Sequence, residues 1–90
     1  MLKSTMIELN KGDWCFLEND TCIAIQYGED NFRELVVIPV SVLPLRNASC
    51  WTWNGSHECP TLTPSIAVSP YEGWTNGWHG FLTNGELSYL

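Results

Sequence analysis

The stretch "WHGFLTNGELSYL", Trp78 to Leu90, decides the fold class. It sets two apolar-rich runs, Trp78 to Leu82 and Glu86 to Leu90, on either side of Asn84-Gly85. An Asn-Gly between such runs is the strongest short-range hairpin signal, because a type I′ turn needs positive φ at both central residues. The segment therefore predicts a terminal β-hairpin.

Working outward, the same signals recur toward the N-terminus. "SIAV" follows Pro64, "WTW" (Trp51 to Trp53) precedes Asn54-Gly55, and "LVVIPV" (Leu35 to Val40) and "CIAIQY" (Cys22 to Tyr27) flank the polar "GEDNFRE". These short runs are rich in β-branched and aromatic residues and read as strands joined by turns. "WCFL" (Trp14 to Leu17), followed by "ENDT", reads as an earlier strand of the same meander. Pro39 cannot donate a ladder hydrogen bond, so the third run is expected to be an edge, to be bulged, or to end there. No window longer than about ten residues keeps a helical apolar period, and five Pro with seven Gly interrupt the chain. The prediction is an all-β single domain over residues 1–90, a small antiparallel sheet or meander of about six or seven short strands, with a single helical turn near Val40 to Leu45.

Ninety residues limit what that domain can hold. A chain of this size buries only about 60 to 65% of the surface it exposes when unfolded. Five Trp, three Tyr and three Phe compensate, since large aromatics carry most of the area a small core can bury. The alternation of Trp51 and Trp53 puts both on one sheet face, where they can cover one side of such a core.

Four Lys and Arg against ten Asp and Glu give a formal net charge of −6. That balance argues against direct binding to nucleic acid, which needs clustered cations. It favours encounter with a basic protein surface. "MLKSTMIELNKGDW" holds no apolar core of a signal peptide, and no run of about 18 apolar residues occurs anywhere. The expectation is a cytoplasmic protein without membrane contact, whose four cysteines are reduced thiols.

The densest group of reactive side chains is "SCWTWNGSHECPTLTPSI", Ser49 to Ile66. Cys50, His57 and Cys59 resemble metal ligands, with Cys15 and Cys22 as further candidates. Structural zinc sites, however, use pairs spaced C-x2-4-C or H-x3-5-H, and these gaps are longer. A Cys59–His57 nucleophile would need an orienting group and an oxyanion hole, and Pro60 with Asn54-Gly55 indicates a turning segment that parts them. Neither a metal, a cofactor nor a catalytic residue is assigned, and the stretch reads as architecture, with Pro60 and Pro64 fixing φ.

"WTWNGSHECPTLTPSI", followed by "GWHGFLTNGEL", resembles a family of small phage and prophage proteins carried as a domain of unknown function and often mislabelled ammonia monooxygenase. Its members read W-x-W-N-G, then P-T-L-x-P-S-I, then W-H-G-x-L. The resemblance covers Ser49 to Leu90 and implies a zinc-ribbon-derived fold of mobile-element origin. The chain departs from it at the cysteine knuckle: Gly28 is kept, but Glu29 and Asp30 stand in a region without cysteine. Only His79 carries over as a ligand candidate, and without its partners it reads as a core or turn-stabilising histidine bonded to backbone.

Two functions of different classes follow. The first is a non-enzymatic, phage-encoded, stoichiometric inhibitor of the anti-CRISPR or anti-defence type, binding a basic surface of a host protein such as a nucleic-acid-binding defence complex, as a monomer or a homodimer. Its contact residues are expected in two acidic-aromatic loops: Glu29, Asp30, Phe32 and Glu34 in the first, Tyr71, Glu72 and Trp74 in the second. Interface hot spots favour such aromatics. The second is a structural or accessory zinc-binding module of a phage or mobile element.

Overall fold

The computed structural model describes residues 9–17, 19–30, 33–42, 50–70 and 77–90. Every regular element among them is a strand: β1 (Trp14–Leu17), β2 (Cys22–Gln26), β3 (Leu35–Ser41), β4 (Trp51–Trp53), β5 (Leu62–Thr63), β6 (Ile66–Val68), β7 (Trp78–Thr83) and β8 (Glu86–Tyr89). The all-β class is as the sequence predicts. Eight strands form, not six or seven, because the two-residue β5 was too short to carry a period. The single meander also divides, into a five-stranded sheet ordered β1-β2-β3-β4-β5 and a three-stranded sheet β6-β7-β8.

All ladders are antiparallel except β3 with β4, where Val40 lies beside Trp51 and Ser41 beside Thr52 in parallel. A tight turn would have reversed the chain; a parallel neighbour needs a longer connection, and residues 42–50 separate the two strands. β3 passes through Val40 and Ser41 as strand, so the helical turn expected at Val40 does not begin there, and residues 43–45 lie outside the described residues.

Nor is β3 an edge. Val40 N–H donates to Thr21 O on the β2 side at 2.9 Å, so the nitrogen of Pro39, one residue earlier, faces the opposite side. There, the β4 ladder starts only at Val40. The proline thus occupies a position where no donor is required.

The inner faces of the two sheets share one core. Trp14, Ile23, Ile25, Ile38, Trp53, Leu62, Ile66, Trp78 and Leu82 are its main members, with Trp51 packed against it. Both tryptophans of "WTW" thus face inward as the alternation predicts. A smaller cluster of Leu9, Cys15 and Ala24 covers the other side of β1 and β2. β2 is therefore buried on both faces, which is why "CIAIQ" shows no polar alternation.

In the terminal hairpin, Thr83 pairs with Glu86 around Asn84 at φ 50° and Gly85 at φ 78°, the two positive angles that a two-residue turn of this kind requires. β7 alternates strictly, with Trp78, Gly80 and Leu82 inward and His79, Phe81 and Thr83 outward. Gly80 is forced by contact. A Cβ there would run into the backbone carbonyl of Ser88 and the Trp78 indole. Since backbone of a paired strand cannot step aside, Gly80→Ala is expected to cost about 1–3 kcal/mol, as overpacking does. Urea unfolding followed by circular dichroism measures it, and an unchanged midpoint would mean that β8 shifts freely.

Candidate active site

Ser65 lies immediately before β6, in the short link from β5, after a cis Thr63–Pro64 peptide. Its carbonyl accepts a hydrogen bond from the Trp51 indole N–H at 3.3 Å, which ties the link to β4. β6 pairs with β7 so that Ile66 faces Gly80 and Ala67 faces His79. Continuing that register by one residue would set Ser65 opposite Phe81, with His79 as its diagonal neighbour on the same outward face. Diagonal cross-strand pairs are within reach of a long or aromatic side chain. The imidazole spans the gap: His79 Nε2 stands 3.2 Å from Ser65 Oγ. Ala67, directly opposite His79, is small enough not to block it.

Ser65 is half-buried and His79 exposed, so the pair is held by backbone pairing yet open to solvent on the outer sheet face. With the ring proton on Nδ1, Nε2 accepts the Ser65 hydroxyl proton. That is the relation of a nucleophile to its general base.

His79 differs from the expectation of a core or turn-stabilising histidine. It is neither a core histidine nor bonded to backbone through its ring; it points outward and meets a serine side chain. Ser65 drew no attention in the sequence because an isolated serine carries no signature. Both lie in the quoted motifs, as Pro64-Ser65-Ile66 and Trp78-His79-Gly80, but fourteen positions apart.

The candidates that did stand out are elsewhere. His57 Nε2 is 2.7 Å from Asp20 Oδ2, and its ring meets Phe16 and Trp53 edge-on at 5.2 and 5.1 Å. Cys59 is exposed, with its amide N–H bonded to Ser56 Oγ. Cys15 is buried in the small cluster, and Cys22 and Cys50 are half-buried. Among the described residues no three His, Cys, Asp or Glu side chains are grouped to hold a metal ion. Asn54 organises the β4–β5 loop, its Oδ1 accepting from Ser56 N and Thr61 N and its Nδ2 donating to Cys59 O.

Of the acidic-aromatic loops, Phe32, Tyr71, Glu72 and Trp74 lie outside the described residues. Glu29 is exposed. Asp30 and Glu34 have work inside their own loop. Asp30 Oδ1 accepts from Arg33 N at 3.0 Å, and Glu34 Oε1 accepts from Asp30 N at 3.1 Å. Below them the fully buried Gln26 donates from Nε2 to Gly28 O and Asp30 O. Charge reversal should therefore separate the two neighbours: Asp30→Lys is expected to cost about 1–2 kcal/mol, since a bond to a charged acceptor is lost, and Glu29→Lys about 0.5 kcal/mol or less. Equal losses in thermal unfolding would contradict these roles.

Residues 33–90 match the family described as "bacterial ubiquitination-like system serine protease (BubE)". The chain belongs to this family. The match contains Ser65 and His79, the one serine–histidine side-chain pair found among the described residues. No curated protein and no solved structure matches the chain. The sequence reading of a non-enzymatic protein thus meets a family named for a protease, which points toward enzymatic activity.

Proposed function

We propose that the chain is a serine hydrolase that cleaves acyl bonds of proteins in a ubiquitination-like system, with Ser65 as nucleophile and His79 as general base. The observation that carries the reading is the 3.2 Å approach of His79 Nε2 to Ser65 Oγ on an open sheet face, within a family described as a serine protease.

In the first half-reaction Ser65 Oγ attacks the carbonyl carbon while its proton passes to His79 Nε2. The tetrahedral adduct collapses as His79 returns that proton to the leaving amine or alcohol, and an acyl-serine remains. Water then attacks the ester carbonyl, His79 takes a proton from it, and the proton goes back to Ser65 as the acid is released. Each step needs the imidazole and the hydroxyl in hydrogen-bond reach, and donors for the oxyanion with a group that orients the ring complete such a site.

A second reading keeps the acidic surface at the centre. The exposed Glu29 and the net charge of −6 also suit a stoichiometric inhibitor that captures a basic host surface in the cytoplasm by electrostatic steering. An active-site label separates the two. Fluorophosphonate treatment followed by peptide mapping is expected to find the phosphonyl group on Ser65. Folded protein that takes up no label, or takes it up elsewhere, would favour the inhibitor.

A further inference from the structure

On the opposite side of β7 from His79 lies a cleft of about 440 Å³. Tyr27, Trp78 and Tyr89 supply its aromatic surface, Glu29 and Glu34 its carboxylates, and Lys11 sits among them. The rings are locked together. Tyr27 and Trp78 stack at 5.4 Å with 13° between planes, Trp78 meets Tyr89 at 5.9 Å, and Tyr89 Oη donates to Tyr27 O at 2.6 Å. Tyr27 and Trp78 are almost wholly buried, whereas Tyr89 is 51% exposed and offers its ring to the cleft.

Two features define what such a space accepts. The Lys11 ammonium lies 5.6 Å from the centroid of the Tyr89 ring, so the open aromatic face already carries a cation. Glu34 leans against Gly28, where no side chain stands in its way, and its carboxylate reaches the cleft. Burial first, and then the charge of Glu34, raises the Tyr89 phenol above its ordinary value. Two glutamates and one lysine line the cleft, which is far larger than the lysine head that borders it.

We propose that this cleft binds the guanidinium of an arginine presented by a protein segment, stacked on Tyr89 and paired with Glu34 and Glu29 in place of Lys11. Arginine suits it better than lysine because the planar guanidinium stacks on an aromatic face while its fork donates to a carboxylate. The site lies apart from Ser65, and its occupancy is read without turnover.

The test is an NMR titration of the whole chain with Nα-acetyl-arginine methylamide, following the Trp78 indole N–H. The neutral isostere, the corresponding citrulline amide, is the control. The arginine amide is expected to shift the Trp78 signal and to bind about tenfold more tightly than citrulline, with a difference that shrinks as salt rises. Glu34→Gln, which can still accept the Asp30 amide, should weaken binding about threefold or more. Lys11→Met should tighten it, because the competing cation is gone. Equal binding of citrulline, weaker binding after Lys11→Met, or the same shifts from Nα-acetyl-glutamate methylamide would each overturn the proposal.

Discussion

Ser65→Ala is expected to abolish phosphonylation by fluorophosphonates, and His79→Ala to slow it by about 10²- to 10⁴-fold, the range in which a positioned general base contributes. The two losses differ because they act on different atoms. Ser65→Ala removes the oxygen that forms the new bond. His79→Ala leaves that oxygen in place but without the nitrogen, 3.2 Å away, that takes its proton. Neither change should disturb the fold, since both side chains project from the outer face and His79 is exposed. Circular dichroism and a urea midpoint provide that check. Cys59→Ser and His57→Ala serve as controls for the reactive residues most visible in the sequence, and both should label at the parent rate. A parent-like rate in His79→Ala would show that the serine reacts without this base, and the dyad would have to be abandoned.

Trp14→Ala should produce the largest loss of stability. The side chain is fully buried, packs edge-on against Phe16 with centroids 5.8 Å apart, and donates from its indole N–H to Gly85 O at 3.0 Å. It therefore joins the first strand of one sheet to the terminal turn of the other. Truncating a buried tryptophan costs about 3–5 kcal/mol, against a total of about 5–15 kcal/mol for a typical domain. Trp14→Phe keeps most of the packing but deletes the donor, and the lost hydrogen bond is expected to contribute about 1 kcal/mol of a smaller deficit. Equilibrium urea unfolding of the three proteins gives both numbers. A loss below about 1 kcal/mol for Trp14→Ala would mean that the terminal hairpin docks without this residue.

The hairpin bears on the chemistry as well, because β7 belongs to both. Gly80 lets β8 approach closely, and the alternation that turns Trp78 and Leu82 into the core turns His79 out toward Ser65. A one-residue slip of β7 would bury the imidazole and expose the indole. The core thus sets the orientation of the candidate base.

What the sequence determined by itself was local. Asn84-Gly85 dictated a turn of two positive φ angles, the β-branched runs dictated strands, and Trp51 and Trp53 were bound to share a face, because each of these depends on neighbours one to four residues away. The parallel pairing of β3 with β4, the division into two sheets and the approach of the Glu34 carboxylate to Gly28 were decided only in the tertiary structure. They depend on which distant strand can bury a given face, and no local period records that. The candidate site belongs to the second group. Ser65 and His79 meet only because the register of β6 on β7 makes them diagonal neighbours. His57 and Cys59 drew more attention in the sequence because they were close along the chain, whereas the fold gives the His57 ring to Asp20. Proximity in sequence is a property of the chain, but reach between side chains is a property of the ladder.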